Sequence, residues 1–333
     1  MHKYEEEDIS KVALLPYSWG KIENKSILVS GGTGLIGSFF CEVIKYRNIH
    51  CNSNIKVISL SRSGGESSNG VFNIACDITG KIDINEHVDY IMHLASNTHP
   101  DAYEKDPIGT IMTNVLGCDN LLKIAVNNKC EKFILASSVE IYGACGNQEL
   151  KENMNGYLPL DTYRSGYNEA KKVSELLCHS YKKKYDIDFS IARLPRVFGV
   201  DKRNDSKAMA QFIRNAANKN NIVLHSEGNQ KFSFSYVADV ASGLIKLLID
   251  GKSGEAYNIS EDNENMTLYD YAVYLANLSG VKVIKDIKHS DAVSAAQNAL
   301  LDTSKIKSIG WKPLYTVSEA LKRVYTIKKE LNN

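Results

Sequence analysis

A tyrosine and a lysine stand four residues apart in the segment RSGYNEAKK, at Tyr167 and Lys171. This spacing places both side chains on one face of a helix. A tyrosine has a pKa of about 10, so it is a poor base at neutral pH unless positive charge favours the phenolate. An ammonium at Lys171 and a cationic nicotinamide ring would lower the pKa of Tyr167. The phenolate can then take a proton from a sugar hydroxyl while the carbon gives hydride to the ring.

Other residues decide between this chemistry and a structural alternative. Ser138, at the end of a strand-like segment, would hydrogen-bond the same substrate oxygen. The Tyr-Lys spacing also arises when a half-buried tyrosine lies beside a lysine whose stem covers apolar surface. The pair therefore predicts a catalytic site only together with the glycine turn and the serine.

The segment GGTGLIG places Gly31, Gly34 and Gly37 in a GxxGxxG pattern between a strand and a helix. Glycines let the backbone approach a pyrophosphate, and the helix N-terminus offers N–H groups to it. A strand, turn and helix in this order are the context that the motif requires. The turn predicts a dinucleotide site, although a tight turn without a ligand has the same pattern.

The end of the second strand bears on which dinucleotide is bound. An acid there would hold the ribose 2′-hydroxyl of NAD, but this chain has Ser61 followed by Arg62. A guanidinium can bind a 2′-phosphate, which favours NADP, or it can stack on adenine, which leaves NAD open. Asp77 either accepts from the adenine amino group or caps a helix.

The elements that must position these residues alternate along the chain. Apolar strand patterns begin at SILVS and recur at IKVISLSRS, VDYIMHLAS, EKFILASS and DFSIARLPRVFG, with helical patterns between them. This alternation predicts an α/β fold with a Rossmann-type doubly wound parallel sheet. Beyond about residue 195 the pattern is less regular, which predicts a smaller C-terminal substrate-binding lobe. We predict an N-terminal arm at 1–24, a dinucleotide-binding domain at 25–195, and a mainly substrate-binding lobe at 196–333 that is interleaved with it.

Composition narrows the class of protein. The chain has 333 residues, a net charge of +1, 43% hydrophobic residues and 24% charged residues. Nothing here resembles a nucleic-acid-binding stripe, a membrane span or a metal-ligand spacing, so neither nucleic acid, membrane nor metal is predicted as a partner. The acidic start MHKYEEEDIS is unlike a signal peptide, and seven scattered cysteines favour reduced thiols in the cytoplasm.

Several segments together resemble a known family between about residue 26 and residue 320: GGTGLIG, HLAS, TNVLGCDNLL, ASSVEIYG, YNEAK, SYVADV and DTSKIKSIGWKP. The chain looks like an extended short-chain dehydrogenase/reductase of the nucleotide-sugar epimerase, dehydratase and decarboxylase family. The resemblance implies a catalytic tetrad of Asn114, Ser138, Tyr167 and Lys171, in which Asn114 holds a water near Lys171. The implied cofactor-binding residues are Gly31, Gly34, Leu35, Ile36, Gly37, Ser61, Arg62, Asp77, Ile78, Leu94, Ala95, Ser96, Asn114, Tyr167, Lys171 and Leu194.

Within this family the chain most resembles UDP-glucuronate decarboxylases, in the helix RSGYNEAKK and the strand end ASSVEIYG. The resemblance implies oxidation at C4 of a nucleotide-linked sugar, with a tightly bound NADP or NAD. It gives Glu140 and Glu169 roles in ordering water or acting on the sugar, although Glu169 can instead pair with a neighbouring lysine. Dehydratases usually carry an aspartate where this chain has Val139, which disfavours simple 4,6-dehydration.

The substrate pocket departs from the subgroup. Phe232 stands where the decarboxylases have an arginine that binds the diphosphate, and Arg196 stands where they have an asparagine at the substrate phosphates. His99 lies in a loop where they have small residues and proline. These changes either conserve charge in the pocket or adapt it to another sugar. The residues predicted to bind substrate are His99, Tyr103, Ser138, Glu140, Arg196 and Phe232.

Other functions stay open from the residues alone. Dehydration and 4-epimerisation of a nucleotide sugar begin with the same C4 oxidation. An NADPH-dependent keto-sugar reductase would release its cofactor after each reaction. A non-catalytic dinucleotide-binding protein would convert no substrate. Family members often dimerise through two long helices, so we expect a homodimer through Thr110–Asn127 and Tyr167–Lys183.

Overall fold

The computed structural model describes residues 1–98, 100–146, 149–200, 207–261, 264–287 and 298–331, apart from the side chains of residues 100–102. The strands are β1 (Ser26–Ser30), β2 (Lys56–Ser61), β3 (Val71–Ala75), β4 (Tyr90–His93), β5 (Lys132–Ser138), β6 (Phe189–Leu194), β7 (Arg196–Phe198), β8 (Ile222–Leu224), β9 (Lys231–Phe232), β10 (Phe234–Tyr236), β11 (Glu255–Asn258), β12 (Val283–Lys285) and β13 (Asn298–Ala299). The helices are α1 (Lys3–Ala13), α2 (Leu35–Cys51), α3 (Pro100–Lys105), α4 (Pro107–Asn128), α5 (Ser165–Tyr185), α6 (Ala208–Ala217), α7 (Val237–Asp250), α8 (Leu268–Ser279), α9 (Ser304–Ser308) and α10 (Val317–Leu331).

Within the described residues, seven strands form a parallel sheet in the order β11-β6-β5-β4-β1-β2-β3. Every residue of β1 and of β5 is buried, as expected for parallel strands that are covered by helices on both faces. The chain reverses its direction of travel across the sheet between β1 and β4, which is where doubly wound sheets bind ligands. The predicted doubly wound fold is confirmed.

Two strand predictions need correction. DFSIARLPRVFG is two strands, because Pro195 has no N–H and separates β6 from β7, which pairs with β10 outside the main sheet. The strand β3 was not predicted; it pairs with β2 at the sheet edge, where only Val71 of its five residues is buried.

The smaller lobe and the sheet share one core. A single cluster of buried apolar side chains runs from Ile27 and Phe40, on one face of the sheet, to Phe212 and Trp311 in the later part of the chain. The strand β11 lies within the range predicted as the smaller lobe, yet it pairs with β6 in the main sheet. The chain therefore returns from the lobe to the sheet before it ends.

The segment 1–24 is packed into this core. Val12 and Ala13 of α1 are fully buried, and so is Asp8. The Asp8 carboxylate accepts hydrogen bonds from the hydroxyls of Tyr236 and Tyr315, and it lies 2.8 Å from the Arg323 guanidinium in α10. The N-terminal helix is thus joined to the end of the chain through buried polar contacts.

The helix α4, which carries Asn114, begins at a recognisable signal. Pro107 stands at the first position of α4, and the Asp106 carboxylate accepts from the Gly109 N–H as its N-cap. Both α4 and α5 end in a residue of left-handed conformation, Lys129 and Asp186. Among the described residues, no helix is both long enough and apolar enough to cross a membrane.

Candidate active site

A cavity of about 690 Å³ lies at the carboxyl ends of the central strands. Gly31 follows β1, Leu94 follows β4, and Ser138 and Leu194 end β5 and β6; all four line it. The far wall is formed by the beginning of α6 and by residues near β7 and β9. Its size is that of a typical small-molecule site.

The glycine turn forms one wall of the cavity and leaves no space for side chains. A Cβ on Gly31 would lie 2.8 Å from the Ala95 nitrogen, and one on Gly37 would lie 2.3 Å from the Gly31 oxygen. Gly31 also has a φ of +79°, which glycine adopts readily. Gly34 precedes α2 without any side-chain cap, so the first N–H groups of the helix stay available. These features fit the pyrophosphate of a nicotinamide dinucleotide.

The residues predicted to bind the cofactor divide into two groups. Those that line the cavity are Gly31, Gly34, Leu35, Ile36, Gly37, Leu94, Ser96, Tyr167, Lys171 and Leu194. Those that lie outside its lining are Ser61, Arg62, Asp77, Ile78, Ala95 and Asn114.

The second group keeps local contacts. The Ser61 hydroxyl donates to the Gly64 oxygen at 3.3 Å, and the Arg62 side chain is exposed. The Asp77 carboxylate accepts from the Thr79 N–H at 2.9 Å, and this hydrogen bond lowers the pKa of Asp77. Asp77 therefore closes a turn and caps no helix, and its predicted contact with adenine stays a prediction.

The predicted catalytic residues come together on one wall of the cavity. Ser138 ends β5, and Tyr167 and Lys171 lie in the first two turns of α5. The Lys171 ammonium donates to the Ala136 oxygen at 2.8 Å and lies 5.9 Å from the centre of the Tyr167 ring. The hydroxyls of Ser138 and Ser96 lie near enough to the Tyr167 phenol to oppose the rise of its pKa.

The electrostatics of this pair differ from the prediction. Burial raises the pKa of Tyr167 to about 12, and the nearby Glu140 carboxylate adds to the rise, while the hydroxyls of Ser138 and Ser96 oppose it. Burial lowers the pKa of Lys171 to about 8. The predicted lowering of the tyrosine pKa is therefore wrong for the protein chain alone. The reason is that both groups are removed from water, which disfavours each charged form.

A buried ion pair holds the strands and the helix that carry these residues. Arg193 in β6 contacts Glu175 in α5 at 2.7 Å, and the same carboxylate accepts from the Ser137 hydroxyl in β5 at 2.5 Å. Both partners are mostly buried, with about a tenth of each side chain exposed. The contact fixes α5 against the strand end that presents Ser138.

Asn114 lies behind the cavity wall. Its side-chain oxygen accepts from the Ser96 hydroxyl at 2.9 Å, and its amide nitrogen donates to the Thr110 oxygen at 2.8 Å. Asn114 is fully buried, and Ser96 separates it from the cavity. Its geometry suits the bracing of Ser96, and the predicted role in holding a water near Lys171 stays a prediction.

The two predicted glutamates are not brought together. Glu140 lines the cavity and contacts the Arg196 guanidinium at 3.2 Å. Glu169 does not line the cavity; its carboxylate lies 3.2 Å from the Lys172 ammonium on the outer side of α5. The predicted joint action of the two glutamates is not supported by this placement, which favours the surface ion pair for Glu169.

The predicted substrate residues Tyr103, Arg196 and Phe232 all line the cavity. The Tyr103 ring stacks on the Tyr167 ring at 5.0 Å with an angle of 18° between their planes. The Arg196 guanidinium carbon lies 3.6 Å from the centre of the Phe232 ring. Burial lowers the pKa of Arg196, while the charges of Glu140 and Tyr103 oppose this. His99 lies outside the described residues.

Several lining residues were not predicted, among them Thr162, Arg164, Ser165 and Lys207. Arg164 and Ser165 lie three and two residues before the predicted tyrosine in the segment RSGYNEAKK, so their closeness to Tyr167 in the sequence was an available signal. Lys207 precedes α6, and no motif marks it in the sequence.

The sequence pattern of the NAD dependent epimerase/dehydratase family matches residues 27–260. UDP-glucuronic acid decarboxylase 1 of Xenopus tropicalis is 28% identical over 318 residues, covering 93% of this chain and 74% of that protein. UDP-glucuronic acid decarboxylase 3 of Arabidopsis thaliana is 29% identical over 309 residues, covering 90% of this chain and 87% of that protein. The structure of UDP-glucuronic acid 4-epimerase from Bacillus cereus, in complex with UDP-glucuronic acid and NAD, matches with a TM-score of 0.78 at 24% identity, covering 92% of this chain and 99% of that one.

Proposed function

This chain belongs to the NAD dependent epimerase/dehydratase family, and on that premise we propose that it is a UDP-glucuronate decarboxylase. It would oxidise C4 of the sugar, release carbon dioxide from the resulting keto acid, and return the hydride. The observation that carries the proposal is the convergence of Ser138, Tyr167 and Lys171 on a cavity that starts at the glycine turn. Two relatives that cover at least 90% of the chain are named as decarboxylases of UDP-glucuronic acid.

Ser138, Tyr167 and Lys171 have different roles in the proton transfer at C4. When bound, the nicotinamide dinucleotide supplies the hydride acceptor and donor. The Tyr167 phenolate takes the proton of the C4 hydroxyl and becomes the phenol, and the Ser138 hydroxyl hydrogen-bonds the same oxygen. A pKa of about 8 keeps Lys171 mostly protonated at neutral pH. Its positive charge favours the phenolate, which burial by itself disfavours.

Two residues favour decarboxylation over dehydration. Val139 lies between Ser138 and Glu140, and its apolar side chain has no proton to give to a leaving hydroxyl. Arg164 and Arg196 both line the cavity, and the ion pair with Glu140 offsets only one of these two charges, which leaves positive charge that suits an acidic sugar. The second candidate is 4-epimerisation of the same sugar, because the matching structure from Bacillus cereus holds UDP-glucuronic acid and NAD.

Product analysis by mass spectrometry tests the proposal. The enzyme is incubated with UDP-glucuronate, UDP-glucose and dTDP-glucose, each with NAD or NADP. The expected product is a UDP-pentose formed from UDP-glucuronate with loss of carbon dioxide. An isomer of unchanged mass would establish the epimerase instead, and loss of water from a neutral sugar would establish a dehydratase.

We further propose that NADP is accepted in addition to NAD, with Arg62 as the ligand of the 2′-phosphate. The exposed side chain of Arg62 follows β2, and Ser61 at the strand end carries no negative charge to repel a phosphate. Dissociation constants for NAD and NADP test this. Arg62→Gln should weaken NADP more than NAD, and equal binding of the two by both proteins would contradict the assignment.

We propose a homodimer through α4 and α5. Ile108, Met112 and Leu116 follow one another at intervals of four along α4 and are 71%, 44% and 42% exposed, and Leu176 on α5 is 63% exposed. Such an apolar stripe suits burial against a second copy. Leu176→Glu should produce monomers in analytical ultracentrifugation, whereas the control Leu331→Glu, at an equally exposed leucine on α10, should not. A monomeric wild-type protein at micromolar concentration would contradict the proposal.

We also propose a cytosolic location. All seven cysteines are described, and no disulfide joins any of them, which suits a reducing compartment. Fractionation of cells that express the tagged protein tests this, and recovery from a secreted fraction would contradict it.

A further inference from the structure

Arg196 is held on two sides and has a donor group left over. Its Nη2 atom lies 3.2 Å from the Glu140 carboxylate, and its guanidinium plane lies over the Phe232 ring at 3.6 Å. Its Nη1 atom is buried and has no hydrogen-bond partner among the described residues. A buried guanidinium nitrogen without a partner is costly. Arg196 lines the cavity with 24% of its side chain exposed, so an acceptor on a ligand there can supply the partner that Nη1 lacks.

Arg196 lies beside the reacting centre. The Glu140 N–H donates to the Ser138 hydroxyl oxygen at 3.2 Å, and that hydroxyl is near enough to the Tyr167 phenol to affect its pKa. Tyr103 stacks on Tyr167, and the same Tyr103 is close enough to Arg196 for its titration to depend on the arginine charge. Glu140 and Tyr103 therefore each connect Arg196 to the residues proposed to bind the C4 oxygen, Ser138 and Tyr167.

The chemistry of the sugar indicates which anion this position meets. In a uronic acid the carboxylate is attached to C5, which is bonded directly to C4. The diphosphate is attached to C1, on the opposite side of the ring. A positive group next to the C4 site is therefore placed for the carboxylate rather than for the diphosphate.

We propose that Arg196 determines specificity for the sugar carboxylate and donates to it from Nη1, with Glu140 and Phe232 as the positioning residues that orient the guanidinium. The proposal rests on the proposed function, and it replaces the sequence-based expectation that Arg196 binds the substrate phosphates. A guanidinium binds carboxylates through parallel N–H groups, and an aromatic face supports it without competing for those groups.

The charges around Arg196 allow this contact. Glu140 neutralises Arg196, so a second carboxylate needs further positive charge nearby. Arg164 also lines the cavity, and its guanidinium forms no ion pair among the described residues. Arg164 and the Lys171 ammonium supply that charge. A neutral sugar would leave the Nη1 donor unpaired, which gives discrimination between acidic and neutral substrates.

Binding to the holoenzyme tests the assignment. Dissociation constants for UDP-glucuronate, UDP-glucose and UDP are measured by calorimetry with the wild type and with Arg196→Gln. We expect UDP-glucuronate to bind about 10- to 100-fold more weakly to the variant, while UDP-glucose and UDP change less than about threefold. Similar losses for all three ligands would assign Arg196 to the diphosphate and overturn the proposal.

The positioning residues are tested by kinetics. Phe232→Leu keeps apolar volume but removes the aromatic face, and we expect it to raise KM for UDP-glucuronate several-fold while kcat changes less. Glu140→Gln should likewise change KM more than kcat. A fall in kcat of about 100-fold at unchanged KM would make Glu140 a catalytic residue and overturn its positioning role. If Arg196→Gln does not fold, Arg196→Lys is measured instead, because lysine keeps the positive charge but lacks the two parallel N–H donors of arginine. This variant should retain only part of the preference for UDP-glucuronate over UDP-glucose.

Failure of the inference and failure of the proposed function give different results. A wild-type enzyme that prefers UDP-glucuronate to UDP-glucose but releases no carbon dioxide refutes the decarboxylase and leaves the role of Arg196 intact. A wild-type enzyme that binds the two sugars equally well refutes the role of Arg196, whichever reaction follows.

Discussion

Replacement of Lys171 by methionine is expected to make the protein more stable while it abolishes turnover. The Lys171 side chain is buried, and burial lowers its pKa to about 8 from a usual value of 10.5, although the nearby Cys118 and Glu175 oppose this. The folded protein therefore binds the lysine proton less tightly than the unfolded chain does. At neutral pH the charged lysine destabilises the fold, and methionine removes that charge at similar length.

The magnitude follows from the change in pKa. A difference of about 2.5 pH units, at about 1.4 kcal/mol per unit, corresponds to about 3 kcal/mol. The variant also loses the hydrogen bond from the ammonium to the Ala136 oxygen, which contributes about 1 kcal/mol. We therefore expect Lys171→Met to raise the free energy of unfolding by about 2 kcal/mol at pH 7.

The sign of the pH dependence is fixed by linkage. The cost of the charged lysine is fully present below its folded pKa of about 8, where both states carry the proton. It fades as the pH rises towards the unfolded value of 10.5, because the folded protein releases the proton first. The advantage of Lys171→Met over the wild type should therefore shrink between pH 8 and pH 10.5.

Urea unfolding of nucleotide-free protein, followed by circular dichroism at pH 7 and pH 10, measures this difference. Lys172→Met is the matched control, because Lys172 is the next residue on α5 and forms only a partly exposed ion pair with Glu169. The control should change stability by less than about 0.5 kcal/mol. The reasoning is refuted if Lys171→Met is no more stable than the wild type at pH 7, or if its gain is as large at pH 10.

Three further outcomes are expected. Gly37→Ala should weaken NAD binding about 10-fold or more, because its Cβ would lie 2.3 Å from the Gly31 oxygen, whereas Gly20→Ala, which has nothing within 4 Å, should not; equal affinities in calorimetry would contradict this. Tyr167→Phe should lower kcat about 100- to 10,000-fold but keep NAD affinity, and full activity of the variant would exclude the proposed base. Arg323→Met should lower the free energy of unfolding by about 3 kcal/mol, because it leaves a buried aspartate without its cation; a change below about 1 kcal/mol in urea unfolding would show that this pair contributes little.

Many elements were predictable from the sequence because their signals are local. The predicted first strand, SILVS, is β1 in the structure, since apolar periodicity and turn residues are read within a few positions. The glycine turn was predictable for the same reason: close backbone approach needs glycine wherever it occurs. The strand β3 was not predicted, because a five-residue segment such as VFNIA is too short for its pattern alone to assign, and its place at the sheet edge comes from pairing with β2.

The catalytic wall was predictable in part. Tyr167 and Lys171 share a helix face, and Ser138 ends a strand, so their spacing alone suggested one site. Glu169 had the same local signal but faces away from the cavity and pairs with Lys172. Periodicity says which residues share a helix face, but only the packing of α5 against β5 decides which face meets the cavity.

The sequence by itself determined the alternating strands and helices, the glycine turn and the residue types available for proton transfer. Only the tertiary structure decided that Arg196 meets Glu140 and Phe232, because a contact between residues this far apart in the chain depends on how the strands pair. It also decided the pKa values of Tyr167 and Lys171, since desolvation depends on every group packed around a side chain.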